Sequence, residues 1–171
     1  MKKVAIFGKP GSGKSTLSHQ LSTQLNMPLF HLDAIQFKPN GEAVSKEVFH
    51  HAHDEILTKE RWLIDGLGTL SSFEQRVQSA DTLIYVDLPY STAYYLVTKR
   101  LMKSLFQSPK GWPKGSSVLR GTLQSYRYLT LSKAFWNDEL VNQLKTLAKK
   151  QNKHFYHIKQ LDQLKGFTNN L

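Results

Sequence analysis

The sequence predicts a single α/β domain over residues 1–171, a three-layer sandwich in which helices cover both faces of a parallel β-sheet. Short apolar runs typical of strands alternate along the chain with segments of helical periodicity. This order favours parallel strands joined by right-handed helical crossovers. The run at 83–86 is continuously apolar, as expected of a strand that is buried on both faces. A chain of this length is sufficient for one domain.

The first strand and the first helix are the most clearly marked elements. Residues 4–7 are a short apolar run that predicts a buried strand. Within 16–25, Leu17, Leu21 and Leu25 recur at the spacing of one helical face. A glycine-rich loop lies between the two elements, so the chain begins with a strand, a loop and a helix.

The later elements continue the alternation. Four further strands are predicted at 27–32, 61–66, 82–89 and 154–158. Further helices are predicted at 47–59, at 91–105, from 118 onward, at 137–151 and from 161 onward. The apolar side of the 47–59 helix is expected to contain Val48, Ala52, Ile56 and Leu57. Because 107–117 is rich in proline and glycine, we expect a loop there.

The loop after the first strand fits the phosphate-binding pattern G-x-x-x-x-G-K-[ST] at every fixed position. Its predicted nucleotide contacts are Gly8, Pro10, Gly11, Ser12, Gly13, Lys14, Ser15 and Thr16. Glycines allow successive backbone N–H groups to converge on a phosphate, and the following helix adds its positive N-terminal dipole. Lys14 is expected to reach the β- and γ-phosphates of ATP, and Ser15 to bind Mg²⁺. The motif therefore predicts a nucleoside triphosphate site.

Three carboxylates follow predicted strands and are expected to lie at the same edge of the sheet as the loop. Asp65, which follows 61–64 and precedes Gly66, is the first candidate for the second Mg²⁺ ligand. Asp87 is the runner-up for that ligand, although a structural role is favoured for it. A turn residue is the competing interpretation of Asp65. Asp33 is predicted to face the phosphoryl acceptor and to accept its proton, although a helix-capping role fits the same position.

Phosphoryl transfer also needs cations around the charge that moves. Arg100 lies just before the predicted loop, and Arg120 and Arg127 lie at or beyond its end. We predict a lid region over 106–127 that contains Arg120 and Arg127, with Arg100 just before it as the third lid cation and the catalytic one. Arg76 follows the Asp65-Gly66 segment and is predicted to bind an anionic acceptor. The predicted acceptor-binding residues are therefore Asp33, Asp65, Gly66 and Arg76. Each arginine, taken alone, also fits an ordinary solvated surface residue.

Composition and charge exclude several classes of protein. Hydrophobic residues make up 40% of the chain, which is typical of a folded protein, and no cysteine is present for a disulfide or a thiolate metal site. No stretch has the length of a signal peptide or a membrane span, so we expect a cytoplasmic protein. The net charge is +10, from 23 Lys+Arg against 13 Asp+Glu. This surplus favours anionic partners, either small phosphorylated ligands or, less readily, nucleic acid.

The motifs together resemble the bacterial topology modulation proteins, a group related to adenylate kinase. The segments that carry the resemblance are the phosphate loop, 30–33, 62–66, Arg76 before 80–82, and 86–89. The resemblance covers most of 3–105. It implies a P-loop NTPase fold with a five-stranded parallel sheet of order 2-3-1-4-5, a mobile acceptor-binding segment at 34–60 and a lid. By matched motif, it places Lys14 and Ser15 on the nucleotide and Mg²⁺, Asp65 at the Walker B position and Asp33 at the acceptor.

Two features depart from the pattern of nucleoside monophosphate kinases. Asp65-Gly66 is followed by Leu67-Gly68-Thr69 instead of an aromatic residue, proline and arginine. Lysines 103, 110 and 114 take the place of lid arginines, and a lysine lacks the planar fork that grips a phosphate with two bonds. Both departures argue against adenylate kinase activity and leave the acceptor unspecified.

The sequence therefore favours an ATP- and Mg²⁺-dependent phosphotransferase that acts on a small hydroxyl- or phosphate-bearing acceptor, as a monomer or homodimer. Two alternatives stay open at this stage. One is a nucleotide-dependent protein associated with DNA, suggested by the positive charge. The other is a regulator that binds a nucleoside triphosphate and has no acceptor.

Overall fold

The structure, a computed structural model, describes residues 1–38, 42–104 and 118–170. Five strands are present in this part of the chain: β1 (Lys3–Phe7), β2 (Leu29–His31), β3 (Trp62–Asp65), β4 (Thr82–Val86) and β5 (His154–Ile158). They form one sheet of order β2-β3-β1-β4-β5, and every neighbouring pair is parallel. The predicted fold class and strand order are therefore confirmed.

Helices lie on both faces of the sheet. They are α1 (Lys14–Leu25), α2 (Leu32–Gln36), α3 (Lys46–Thr58), α4 (Leu70–Ser79), α5 (Tyr90–Ser104), α6 (Val118–Leu131), α7 (Asp138–Lys150) and α8 (Leu161–Gly166). Short 3₁₀ turns follow α6 at Ser132–Ala134 and α8 at Phe167–Asn170. No helix in the described ranges has the length and apolar content needed to cross a membrane.

The two sides of the strands contact different halves of the core, because successive side chains of a strand point to opposite faces. On one face, Phe7 and Tyr85 pack with residues of α3, α4 and α7, among them Phe49 and Leu144. On the other face, the core residues of the strands and of α1 lie together, with α8 packed against them. Every residue of β3 and β4 is buried, which explains their continuous apolar sequence.

The structure corrects the sequence prediction at three elements. The second strand ends at His31, and Leu32 and Asp33 open the short helix α2 instead of ending the strand. Val48, expected on the apolar side of the 47–59 helix, is 57% exposed, because Phe49, His53 and Ile56 form the buried side of α3. Helix α4 was not predicted at all. The loop predicted at 107–117 lies outside the described residues.

Candidate phosphate and acceptor site

The phosphate loop is held in its path by contacts that leave no room for a side chain at two glycines. Gly8 has a φ of 145°, and a Cβ atom there would lie 2.2 Å from the carbonyl oxygen of Val86. A Cβ at Gly11, where φ is 72°, would lie 2.5 Å from the carbonyl oxygen of Ala93. Close packing against the end of β4 therefore requires a glycine at position 8, which the motif fixes. Close packing against α5 requires a glycine at position 11, which the motif leaves variable.

The loop leads directly into α1, and its end has the features of an anion site. Gly13 caps the helix in a left-handed conformation, with φ of 85° and no side-chain capping bond, so no side-chain oxygen occupies the first N–H groups of the helix. The Ser12 hydroxyl is buried without a hydrogen-bond partner. These donors, together with the dipole of a 12-residue helix, fit a bound phosphate.

Lys14 lies between the loop and the predicted carboxylates. Its Nζ atom donates a hydrogen bond to the backbone carbonyl of Lys9 at 2.9 Å. Burial lowers the pKa of Lys14, and the nearby carboxylates of Asp65 and Asp33 oppose that shift. The ammonium group is therefore partly desolvated, which strengthens its interaction with an anion that reaches it.

Asp33, in the first turn of α2, lies in the same electrostatic neighbourhood. The residue is exposed to solvent at the surface of α2. Partial desolvation by the neighbouring protein, together with the negative charge of Asp65, raises the pKa of the Asp33 carboxyl group. Lys14 and Arg100 act in the opposite direction. The predicted acceptor carboxylate is thus close enough to the phosphate-loop lysine to share its field, at an open surface where an acceptor can reach it.

Asp65, at the end of β3, is buried, and only one of its two carboxylate oxygens has a hydrogen-bond partner. Its Oδ2 atom contacts Nδ1 of His31 at 3.1 Å, whereas Oδ1 has no hydrogen-bond partner although it is buried. A buried carboxylate oxygen without a partner is costly unless a ligand or water satisfies it. Asp65 therefore fits a ligand of Mg²⁺, which commonly takes one or two protein ligands and completes its shell with phosphates and water. The role of the Ser15 hydroxyl as the other ligand stays a prediction from the motif. No cluster of three or more metal-binding side chains is found among the described residues.

His31 was assigned no role from the sequence. The pairing of β2 with β3 places it directly beside Asp65, because these two residues are register partners at the carboxyl ends of neighbouring strands. Its ring also lies 5.2 Å from that of His19 on α1. The only sequence signal for this contact would have been the alignment of two strand ends, which requires the strand order to be known first.

Arg76 does not lie where the sequence placed it. The residue is fully buried on α4, and its Nη2 atom donates to the carbonyls of Gly66 and Leu67 at 2.9 and 3.0 Å. Burial lowers the pKa of its guanidinium group to about 10, against the influence of Asp65. The expectation that Arg76 binds an anionic acceptor is corrected accordingly, because the side chain shapes the loop that follows Asp65. Gly66 takes part in that loop through its backbone carbonyl.

The predicted lid cations have different outcomes. Arg100 on α5 lies within electrostatic range of Asp33. Burial lowers the pKa of its guanidinium group, Asp33 opposes that shift, and its Nη2 atom donates to the Ser125 hydroxyl of α6 at 2.9 Å. Arg127 lies exposed on α6. The side chain of Arg120 and residues 105–117, which include most of the predicted lid, lie outside the described residues.

Lys9 and Asp87 form a second polar centre beneath the loop. The Lys9 ammonium donates to Asp87 Oδ1 and to the carbonyl of Leu88, and its side chain is only 2% exposed. The other carboxylate oxygen, Asp87 Oδ2, contacts Nε2 of His157 at 3.1 Å. Asp87 thus has partners at both oxygens, in agreement with its predicted structural role.

No family model matches the chain. Among curated proteins, it is 29% identical over 117 residues to a tRNA dimethylallyltransferase of Helicobacter pylori strain 26695, and the match covers 64% of this chain and 36% of that protein. It is also 36% identical over 77 residues to the replication factor C large subunit of Methanococcus vannielii, covering 44% of this chain and 15% of that protein. The chain therefore spans about a third or less of the length of these relatives.

Among solved structures, the chain resembles two shikimate kinases. That of Acinetobacter baumannii, solved in complex with shikimate, superposes with a TM-score of 0.57 at 13% identity, covering 99% of this chain and 90% of that chain. The Bacteroides thetaiotaomicron enzyme gives a TM-score of 0.56 at 14% identity, covering 98% and 94%. The chain has the P-loop NTPase fold that these kinases share, whereas the narrower resemblance to topology modulation proteins stays a prediction.

Proposed function

We propose that the protein is an ATP-dependent phosphotransferase that moves the γ-phosphate of ATP to a small hydroxyl-bearing acceptor. The observation that carries this proposal is the shared electrostatic neighbourhood of Lys14, Asp33, Asp65 and Arg100. A nucleotide-binding protein without an acceptor needs the phosphate loop and the Mg²⁺ carboxylate, but not a second carboxylate with an open side toward solvent. Asp33 supplies that second carboxylate.

Each group has a role that follows from its chemistry. The loop N–H groups and Lys14 would bind the phosphates, and Ser15 and Asp65 would hold Mg²⁺, which neutralises the phosphate charge. Asp33 would orient the acceptor hydroxyl and take its proton, a role to which its raised pKa is suited. Arg100 would stabilise charge on the transferred group from the α5 side.

A hydroxyl-bearing acceptor is favoured over a phosphate-bearing one. The first arginine after Asp65-Gly66 is Arg76. Its Nη1 and Nη2 atoms donate to the carbonyls of Ser72, Gly66 and Leu67, and its Nε is buried away from solvent without a partner. A charge that is fully buried and bound to backbone oxygens is not available to a phosphomonoester. The acceptor would thus be recognised mainly through its hydroxyl groups at Asp33.

The test is a screen for acceptor-stimulated ADP release from Mg·ATP, with polyols, sugars, hydroxy acids, nucleosides and nucleoside monophosphates. We expect stimulation by a hydroxyl compound, its loss in Lys14→Ala, and its loss with ATP binding retained in Asp33→Asn. Slow hydrolysis that no compound stimulates would instead favour a nucleotide-binding regulator. Unchanged ATP binding and turnover in Lys14→Ala would exclude the phosphate loop as the site.

Nucleic-acid binding is the second candidate, because the positive charge is unevenly distributed. Residues 88–137 contain eight lysines and arginines and no aspartate or glutamate. Such a segment is expected to attract a phosphate backbone, with an affinity that falls steeply with salt. Fluorescence anisotropy with a labelled single-stranded oligonucleotide at 50 and 200 mM salt tests this candidate, and an absence of binding at the lower salt would exclude it.

A further inference from the structure

One lysine of the phosphate loop points away from the phosphate side. Lys9 is the first variable residue of the motif, and a lysine there would ordinarily be taken as an additional cation for the nucleotide. Its side chain is only 2% exposed. Because a buried charge must be paired, the surroundings of the ammonium group show what it does.

The socket of Lys9 is built from the segment that follows β4. The ammonium donates to Asp87 Oδ1 and to the Leu88 carbonyl, and it lies 4.6 Å from the centre of the Tyr90 ring. Asp87 is in turn held by His157, whose ring stacks on that of Tyr85 at 5.0 Å. The first variable residue of the loop is therefore fixed to the ends of β4 and β5.

The backbone of the same residue holds the phosphate-loop lysine. The carbonyl oxygen of Lys9 accepts the hydrogen bond from Lys14 Nζ at 2.9 Å, and the backbone N–H of Ser12 also points to it, at 3.4 Å. Lys9 thus contacts Asp87 through its ammonium and Lys14 through its carbonyl oxygen.

We propose that Lys9 is a positioning residue of the nucleotide site. Its side chain, anchored on Asp87, keeps the loop in the shape that receives phosphates and holds the Lys14 ammonium beside the loop until a triphosphate takes over that contact. The proposal rests on the function proposed above, since it presumes that the loop binds a triphosphate. It assigns Lys9 no contact with the nucleotide.

The test compares Lys9→Met, which keeps an unbranched side chain in the socket, with Lys133→Met as the matched control. Lys133 lies 5.4 Å from the centre of the same Tyr90 ring but is exposed. Isothermal titration calorimetry with Mg·ATP and with inorganic tripolyphosphate measures the affinity of each folded variant. We expect Lys9→Met to weaken both ligands by roughly tenfold, the size of one lost charge-assisted contact. Lys133→Met should stay within about twofold of the unsubstituted protein.

Tripolyphosphate has no nucleoside base. An equal loss of affinity for tripolyphosphate and for Mg·ATP would therefore show that the phosphate loop is distorted, and not that a contact with the base has changed. Asp87→Asn tests the same socket from the other side, so the proposal stays testable if Lys9→Met does not fold. The double variant Lys9→Met/Asp87→Asn should bind both ligands about as weakly as the weaker-binding single variant, because the two substitutions remove the same Lys9–Asp87 contact. Unchanged affinity in a folded Lys9→Met or Asp87→Asn would overturn the positioning role alone. Failure of the unsubstituted protein to bind either triphosphate would overturn the proposed function as well.

Discussion

Two carboxylate–imidazole pairs lie on opposite sides of the phosphate loop, at the same edge of the sheet. On one side, His31 at the end of β2 contacts Asp65 at the end of β3. On the other side, His157 of β5 contacts Asp87, which directly follows β4. Both contacts measure 3.1 Å. The two pairs are chemically alike, and the surroundings of each carboxylate distinguish them.

The difference lies in the second oxygen of each carboxylate. The Oδ1 atom of Asp87 accepts a hydrogen bond from the Lys9 ammonium. Both carboxylate oxygens of Asp87 therefore have partners, although its side chain is 24% exposed. Asp65 is only 5% exposed, and its Oδ1 atom has no hydrogen-bond partner. A satisfied carboxylate stabilises the framework, whereas a buried oxygen left without a partner marks a place for a ligand. Of the two carboxylates, Asp65 is therefore the one with an oxygen left over for a ligand, and the predicted choice of Asp65 over Asp87 as the metal ligand fits this difference.

The largest expected effect comes from Asp65→Asn. Asparagine keeps the size of the side chain and an oxygen for His31 but removes the charge that would hold Mg²⁺. We expect turnover to fall by roughly 100-fold or more. The free energy of unfolding should change by less than about 1 kcal/mol, because one oxygen of the charged carboxylate has no hydrogen-bond partner in the folded protein. Steady-state ADP release and urea unfolding measure the two quantities, and full turnover in this variant would remove Asp65 from the metal site.

Asp87→Asn should differ from Asp65→Asn chiefly in stability, because Asp87 pairs with a buried charge. The substitution leaves the buried Lys9 ammonium without its counter-charge, which we expect to lower the free energy of unfolding by about 2–3 kcal/mol. The double variant Lys9→Met/Asp87→Asn should regain part of that loss, since no buried charge is then left unpaired. Urea unfolding without nucleotide measures all three proteins. Equal stability of Asp87→Asn and the unsubstituted protein would show that the pair adds nothing to the framework.

Much of the fold could be predicted because its signals are local. The phosphate loop is a contiguous motif, and the strands are short apolar runs that need no knowledge of their partners. Helix α4 was missed because Phe73 and Val77 are its only buried apolar residues, and the cap that starts it is a single Thr69 side chain. Two buried apolar positions in a ten-residue helix, with Ser72 and Arg76 buried beside them, leave little apolar periodicity to detect in the sequence.

Individual candidate residues of the site could be predicted from the sequence. Contacts between two residues of the site could not. Lys14, Asp33 and Asp65 could be placed near one edge of the sheet because each lies at or shortly after the end of a strand in the sequence. The His31–Asp65 contact depends on the register of two strands, and the burial of Lys9 depends on where Asp87 lies across the sheet. The burial of Arg76 follows from the unpredicted helix α4. Such tertiary pairings leave no pattern in a single sequence.

The two histidines allow a finer test of the same comparison. His31→Gln is expected to raise the Mg²⁺ concentration for half-maximal turnover by a few-fold, roughly two to five, because the oriented partner of Asp65 is lost. His157→Gln should leave the Mg²⁺ dependence unchanged. It should instead lower the free energy of unfolding by about 1 kcal/mol, since the ring stacked on Tyr85 is lost. Mg²⁺ titrations of turnover and urea unfolding separate the outcomes, and identical effects of the two variants would contradict the distinction.

The smallest expected effect is a pH-dependent gain in stability in Asp33→Asn. Desolvation and the charge of Asp65 raise the Asp33 pKa, so the folded protein disfavours the ionised carboxylate at neutral pH. Removing that charge should raise the melting temperature by roughly 1–3 °C at pH 7. The gain should shrink as the pH falls through the raised pKa and vanish below about pH 4, where Asp33 is protonated in both states.

Asp81→Asn is the matched control, with the opposite sign. Burial alone would raise the Asp81 pKa, but hydrogen bonds from the Thr82 hydroxyl and from the backbone N–H groups of Lys2 and Lys3 outweigh it and lower the pKa. The ionised Asp81 carboxylate therefore stabilises the fold at pH 7, and that contribution is lost as the pH falls through its lowered pKa. Thermal melts of both variants between pH 3.5 and pH 7, in about half-unit steps, should show a gain for Asp33→Asn and a loss for Asp81→Asn, both diminishing toward acid. A loss of stability in Asp33→Asn at pH 7 would mean that the Asp33 carboxylate is satisfied within the protein, which would argue against its availability to an acceptor.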